Sequence, residues 1–125
     1  MLKQLVLVGL GGGIGSMLRF AVSTWMARAV QGAFPWPTLL VNLSGCLLIG
    51  WLIGLVSPSH PANDQLRLLL VTGFCGGYTT FSTFAQENLT LINQQQWLLA
   101  IAYTLLSVIL GVLLVWLGLS AGRGS

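Results

Sequence analysis

The chain has 125 residues, of which 55% are hydrophobic and 6% charged, and its mean hydropathy is +0.87. Soluble domains carry roughly a quarter charged residues, so two acidic and five basic side chains cannot cover a soluble surface of this size. The composition therefore predicts an integral membrane protein. The net charge of +3 does not indicate binding to nucleic acid, because the basic residues are scattered singly along the chain.

Four segments are long and apolar enough to cross a bilayer, which takes about 20 residues as a helix. They lie at about residues 2–30, 36–56, 65–92 and 97–119. The connections between them are short and polar, so successive helices should be antiparallel neighbours. We therefore expect a single all-α transmembrane domain over residues 1–125, with four helices.

The first segment contains the run GLGGGIGSMLRF, with two overlapping GxxxG pairs, Gly9/Gly13 and Gly11/Gly15. Glycines at this spacing let another helix backbone approach closely. Arg19 follows them inside the same segment. It has two readings: a side chain that snorkels from near the helix end to the interface, or a cation that draws anions toward the mouth of a pore.

The second segment carries Asn42 about two helical turns from its start. In a membrane a buried amide acts either as a hydrogen-bonding link between helices or as a donor that lines a polar path. The sequence leaves these two readings open. Both cysteines, Cys46 and Cys75, lie in apolar segments without a CxxC or Cys/His cluster, so we expect buried thiols rather than a metal site or a disulfide.

The third segment is interrupted by GFCGGYTTFSTFAQEN, residues 73–88. Its glycines and β-branched residues disfavour a continuous helix, so we expect local unwinding over residues 76–80. Unwinding at membrane depth would free backbone carbonyls, which are good ligands for a hard cation such as Na⁺. Beyond the break, Phe81 and Phe84 share a helical face, and we expect Glu87 to lie near the interface.

The fourth segment places Tyr103, Ser107 and Gly111 four residues apart. This spacing puts two hydroxyls on one face of the helix. Because Ser can also bond back to its own helix, the stripe alone is modest support for a polar pathway.

The distribution of basic residues gives only a weak preference for one orientation. With the N-terminus inside, Lys3, Arg67 and Arg123 lie on the inner side against Arg28 outside, whereas Arg19 is within a helix. A chain with so little bias is able to insert both ways round. It is also too short to hold the internal inverted repeat of larger transporters. We therefore expect a homodimer, and insertion in both orientations would allow its subunits to be antiparallel.

Three other functions fit the sequence poorly. A proton-coupled multidrug exporter needs a deeply buried carboxylate, but Asp64 falls in a loop and Glu87 near a helix end. A membrane scaffold would explain the glycine motifs and leave the clustered amide, phenyl and hydroxyl groups unexplained. An enzyme is disfavoured because His60 is a lone loop histidine and no set of nucleophile, base and acid is visible.

Three motifs together resemble the CrcB/Fluc family of fluoride channels: GGxxG…R in the first segment, PxxTLLVNLSGCLLIG in the second and GFCGGYTTFSTFAQE in the third. The resemblance covers essentially the whole chain. It implies a dual-topology, antiparallel homodimer in the bacterial cytoplasmic (inner) membrane, with two fluoride pathways at the subunit interface. Such a channel lets fluoride leave the cell passively and so protects it from fluoride toxicity.

The resemblance also implies roles for individual residues. The phenylalanine pair corresponds to Phe81 and Phe84, the pore asparagine to Asn42 and the vestibule arginine to Arg19. A structural Na⁺ at the centre of the dimer would be held by the backbone carbonyls of Gly76 and Thr79 from both subunits. The hydroxyl track along the fluoride path would include Ser82, Thr83, Tyr103 and Ser107.

Overall fold

The computed structural model describes residues 1–56 and 61–124. Within them, four helical crossings are long and apolar enough to span a membrane: Leu2–Ala29, Trp36–Leu55, Asn63–Asn93 and Trp97–Arg123. At most a third of the most apolar window of any crossing is buried. The apolar side chains therefore point mainly outward, as expected for a protein that lipid surrounds. The loop that holds His60 lies outside the described residues.

Three of the crossings contain one continuous helix, and the third is divided. The continuous helices are α1 (Leu2–Ala29), α2 (Trp36–Leu55) and α6 (Trp97–Arg123). The third crossing begins with α3 (Pro61–Leu66) and a π-helical stretch (Arg67–Cys75), followed by the short α4 (Gly76–Tyr78). After a break it resumes as α5 (Phe81–Asn93). The all-helical fold with a bend in the third crossing agrees with the expectation from sequence.

Helices α2 and α6 pack tightly because glycines on each helix face the backbone of the other. A methyl group added at Gly50 would overlap the backbone of Val115, and one at Gly118 would overlap the backbone of Leu47. One turn further along, a methyl group at Gly54 would likewise overlap the backbone of Leu119, and one at Gly122 that of Trp51. Small residues spaced by four allow this close approach of two membrane helices.

Helix α1 packs on the first half of the third crossing through Gly11 and Gly15. A methyl group at Gly11 would overlap the carbonyl oxygen of Leu69, and one at Gly15 that of Phe74. This confirms the predicted close packing for one of the two glycine pairs. At Gly9 and Gly13, by contrast, an added methyl group would have no described atom within 4 Å beyond the neighbouring backbone of α1 itself.

The buried core joins α2, α5 and α6. It consists of Leu39, Leu43, Leu91, Ala100 and Tyr103. Tyr103 is completely buried, and the rings of Phe34 and Phe84 lie against it from two sides. This core fixes the second half of the third crossing against its neighbours.

Candidate functional site

The break in the third crossing is confined to two residues. Thr79 (φ −85°, ψ 158°) and Thr80 (φ −148°, ψ 121°) are extended between α4 and α5. The side chains of both threonines close the helix ends beside them. The Thr79 hydroxyl donates to the Cys75 carbonyl at 2.8 Å, and Thr80 Oγ1 accepts from the Thr83 amide at 3.3 Å.

The expectation that unwinding starts at Gly76 is therefore wrong. Gly76 is helical, with φ −63° and ψ −36°, and Gly77 also lies within α4. Gly77 instead permits contact with α1, since a methyl group there would overlap the backbone of Gly12. A methyl group at Gly73 would also crowd α1, at 2.9 Å from the Val8 carbonyl oxygen and 3.1 Å from Gly11 Cα. These glycines serve helix packing, and the two threonines provide the break.

Asn42 on α2 binds the break with both ends of its amide. Its Nδ2 donates to the Thr80 carbonyl at 3.0 Å, and its Oδ1 accepts from the Thr80 amide at 2.8 Å. This pairing provides hydrogen-bond partners for the backbone amide and carbonyl of Thr80, which has no helical partners because it is extended. It is the interhelical link of the first reading. Because Asn42 also lines the groove described below, the second N–H of its amide is available to a ligand there.

Arg19 and Ser16 on α1 bind the helical turn that precedes the break. Arg19 Nε donates to the Gly77 carbonyl at 3.1 Å, and Ser16 Oγ lies 3.4 Å from the same oxygen. Arg19 is about 15 Å from the end of α1 at Ala29, given a rise of 1.5 Å per residue. Its guanidinium is thus tied through Nε to the backbone of the third crossing.

The hydrogen bonds around the break release two backbone carbonyls from the helical pattern. In an α-helix the Gly76 oxygen would accept from the Thr80 amide, and the Thr79 oxygen from the Thr83 amide. Here the Thr80 amide donates to Asn42, and the Thr83 amide donates to Thr80 Oγ1. Released carbonyl oxygens of this kind are suitable ligands for Na⁺.

The position of Gly76 also fits the expected sodium site. Gly76 is exposed, and beyond its chain neighbours and its own helical backbone no described atom lies within 4 Å of a methyl group built on it. A cation at this surface would be open to ligands from a second copy. Within residues 1–56 and 61–124, no group of three or more His, Cys, Asp or Glu side chains forms a metal site.

An open groove of about 520 Å³ lies beside the break, between α2, α6 and the third crossing. Its lining includes Asn42, Gly76, Thr79, Phe81, Phe84 and Ser107. The Ser107 hydroxyl is the one buried polar side-chain atom without a hydrogen-bond partner in the described part of the chain. Six of the nine expected pathway and sodium residues are thus brought to one surface.

The two phenylalanines of the groove differ in their surroundings. Their ring centroids are 5.7 Å apart, at an interplanar angle of 44°. Phe84 also packs on Tyr103, with centroids 4.9 Å apart, whereas Phe81 is 78% exposed. Phe84 is therefore held by the core of its own chain, and Phe81 projects from it.

Three expected pathway residues do not line the groove. Ser82 is exposed and its hydroxyl lies 3.4 Å from Thr80 Oγ1, while Thr83 is half-buried in the first turn of α5. Tyr103 is buried behind Phe84, and its hydroxyl donates to Glu87 Oε1 at 2.8 Å.

Glu87 is a residue whose environment the sequence did not reveal. Besides the bond from Tyr103, its Oε2 accepts from the Thr38 hydroxyl at 2.9 Å. The half-buried carboxylate is thus held by α2 and α6 rather than free at the interface. Glu87 also lines a second cavity of about 600 Å³, together with Gln31, Phe34, Gln86, Thr90 and Gln94. Detecting this cluster from sequence would have required knowing that α2, α5 and α6 meet here.

Comparison with known proteins identifies the family of the chain. A profile described as "CrcB-like protein, Camphor Resistance (CrcB)" matches residues 6–119. A protein of Flavobacterium psychrophilum named "Fluoride-specific ion channel FluC" is 42% identical over 118 residues, which cover 94% of this chain and 95% of the relative. "Fluoride-specific ion channel FluC 2" of Moorella thermoacetica is 48% identical over 116 residues, 92% of this chain and 93% of the relative.

A third relative extends the match to nearly the full length. The protein named "Fluoride-specific ion channel FluC" of Nitratidesulfovibrio vulgaris is 41% identical over 122 residues, 98% of both chains. The names of these relatives describe ion channels rather than enzymes. With a profile match over most of its length and relatives above 40% identity, this multi-pass membrane protein belongs to the CrcB family.

Proposed function

We propose that the chain is a fluoride-selective ion channel. The buried Ser107 hydroxyl without a partner, in the same groove as Asn42 and Phe84, is the observation that carries this proposal. A buried hydroxyl that lacks a partner is unfavourable, and an anion in the groove would satisfy it. The relatives, named as fluoride-specific channels, point to fluoride as that anion.

The chemistry of the groove suits a small anion with a strong affinity for hydrogen-bond donors. To leave water, fluoride must exchange its hydration shell for protein donors. Asn42 has a second amide N–H and Ser107 a free hydroxyl. The positive edges of aromatic rings supply further donors, so fluoride should meet Phe81 and Phe84 edge-on. Once a second copy covers and narrows this groove, the path would disfavour the larger chloride ion.

The pathway is proposed to run from the groove to the second cavity. Phe84 lines the groove and Glu87 lines the second cavity, and Tyr103 contacts both of them. The Glu87 carboxylate is held by Tyr103 and Thr38. Passage therefore requires the ion to replace or move past the Tyr103 hydroxyl. Ser82 and Thr83, beside the break, are proposed as secondary members of the pathway. Arg19 is proposed as the cation of the vestibule. Four N–H groups of its guanidinium remain for anions when Nε is bound.

The working unit is proposed to be an antiparallel homodimer with two pores. Phe81 projects from its own chain at 78% exposure, and the groove opens to the surface that bears Gly76. A second copy would cover this surface and enclose one groove in each subunit. Chemical cross-linking in lipid nanodiscs should capture dimers. Capture of monomers alone would refute this part of the proposal.

A sodium ion is proposed at the centre of the dimer, held by the Gly76 and Thr79 carbonyls of both copies. Since a ligand that binds only the folded protein raises its stability, Na⁺ should raise the thermal unfolding midpoint in a concentration-dependent way. N-methylglucamine at equal ionic strength should leave the midpoint unchanged. Identical midpoints in the two salts would argue against the site.

Conduction is proposed to be passive, so that the channel exports fluoride from the bacterial cytoplasm across the inner membrane and protects the cell. A proton-coupled exchanger would require a buried carboxylate that is free to exchange protons. Among the described residues none is left unpaired, because Glu87 is bound on both oxygens. Proteoliposomes should release fluoride down its gradient at the same rate with and without a proton gradient. A strict requirement for the proton gradient would contradict this mechanism.

A further inference from the structure

We infer that Arg19 is a positioning residue for the break, and that it acts through the single hydrogen bond from Nε to the Gly77 carbonyl. Only the expected effect of Arg19 on conduction rests on the proposed channel function; its structural role does not. This role departs from the reading of Arg19 as a cation that merely attracts anions. The three groups of α1 around Gly77 (Gly12, Ser16 and Arg19) are called the Gly77 clamp.

The geometry of the Gly77 clamp carries the inference. The Gly77 oxygen would accept from the Phe81 amide if the helix continued, but the chain turns away at Thr79 and Thr80. Arg19 Nε takes that place at 3.1 Å, with Ser16 Oγ at 3.4 Å. A carbonyl at membrane depth needs such a partner. The bond is therefore part of what makes the break stable.

The clamp and Asn42 hold the two ends of the break along the chain. Arg19 binds the last helical turn before the two extended threonines, and Asn42 binds the second of them. Gly12 lets α1 lie directly on Gly77, so that the Arg19 side chain reaches the carbonyl. Thr79 lies between the two anchored residues, Gly77 and Thr80, and α5, which carries Phe81, begins directly after Thr80. Loss of either anchor should loosen the residues that line the groove.

Three substitutions separate the donor from the charge. In R19Q the amide nitrogen stands at the same number of bonds from Cα as Arg Nε, so the donor is kept and the charge is removed. In R19K the charge is kept, and a methylene group replaces the donor at that position. R19M removes both at similar length. Arg and Lys are not interchangeable where a fixed donor geometry matters.

Amide hydrogen exchange of the peptide that covers residues 76–84 in nanodiscs is the direct test. A hydrogen bond from a charged group is worth enough that its loss should speed exchange on the order of tenfold. We expect that acceleration in R19K and R19M and less than about a threefold change in R19Q, since a neutral donor is weaker. Ser16→Ala, which removes the longer bond, should have a smaller effect than R19M.

Fluoride efflux from proteoliposomes should follow the same order, with R19Q faster than R19K. The inference is overturned if R19K protects the break and conducts better than R19Q, because charge alone would then matter. It is also overturned if all variants exchange like the wild type. The exchange test needs no ion flux, so a wild-type protein that failed to conduct fluoride would refute the proposed function and leave the clamp testable.

Discussion

The amide of Asn42 and the backbone of Thr80 form a reciprocal pair, in which Nδ2 donates to the Thr80 carbonyl at 3.0 Å and Oδ1 accepts from the Thr80 amide at 2.8 Å. One side chain of α2 thereby satisfies both backbone groups of an extended residue. The same pair diverts the Thr80 amide from the Gly76 carbonyl. The link between helices and the released carbonyl thus have one cause.

Replacing Asn42 by alanine should affect stability and conduction together. The change removes two hydrogen bonds, each worth about 0.5–1.5 kcal/mol, and it deletes an amide donor from the groove. We expect a lower thermal midpoint and a fluoride efflux at least several-fold slower. Asn42→Asp is the matched control, because it keeps the acceptor for the Thr80 amide. Full-speed efflux in Asn42→Ala would reduce Asn42 to a link between helices.

Replacing either groove phenylalanine by isoleucine should slow fluoride efflux about tenfold, which corresponds to about 1.4 kcal/mol on the barrier. Their effects on stability should differ. Phe84→Ile loses its ring contact with Tyr103, worth about 0.5–1.5 kcal/mol beyond area burial. Phe81→Ile alters a side chain that is 78% exposed in the single chain. Both variants should remain dimeric, and unchanged efflux in both would remove the argument from ring edges.

The Tyr103 hydroxyl should be worth about 0.6–1.7 kcal/mol, the range for side-chain hydrogen bonds in membranes. Tyr103→Phe removes the donor to Glu87 Oε1 and leaves the ring in the core. Thr38→Val is the matched change at the other carboxylate oxygen. Thermal unfolding of both single variants and the double variant gives their coupling. Additive effects would mean that the two donors do not act through the same carboxylate.

The two overlapping glycine pairs of α1 should respond in opposite ways to alanine. At Gly15 the added methyl group would overlap the Phe74 carbonyl, and overpacking of this kind costs about 1–3 kcal/mol. At Gly13 no described atom beyond the neighbouring backbone of α1 itself is within 4 Å, so alanine should be neutral or favourable by up to about 1 kcal/mol of helix propensity. Thermal midpoints compare the two. A larger loss at Gly13 would indicate that a second copy packs on this side of α1.

Much of the fold could be predicted because lipid allows few solutions. Long apolar segments must be helices, and the glycines and β-branched residues of the third segment predicted an interruption over residues 76–80. The glycines beside it were less informative. Gly73 and Gly77 disfavour a helix in water, but here each makes room for a helix that packs against it. Sequence alone does not distinguish a glycine that ends a helix from one that lets two helices touch.

The candidate site was likewise predictable in part. Residues close in sequence, such as Phe81 and Phe84, were placed together by helical spacing. Contacts between crossings were not predictable, because they depend on helix rotation and depth. The partners of Glu87 come from α2 and α6, and the carbonyl partner of Arg19 lies 58 residues away. The π-helical stretch over Arg67–Cys75 likewise has no sequence pattern that sets it apart from an α-helix.

Simultaneous efflux of fluoride and chloride from the same proteoliposomes tests the central claim most directly. Vesicles are loaded with equal concentrations of both potassium salts, and valinomycin lets K⁺ follow the anion. Ion-selective electrodes record both anions, with protein-free vesicles as the control. The account predicts prompt release of fluoride while chloride stays inside. Equal release of the two anions, or fluoride release no faster than in protein-free vesicles, would contradict it.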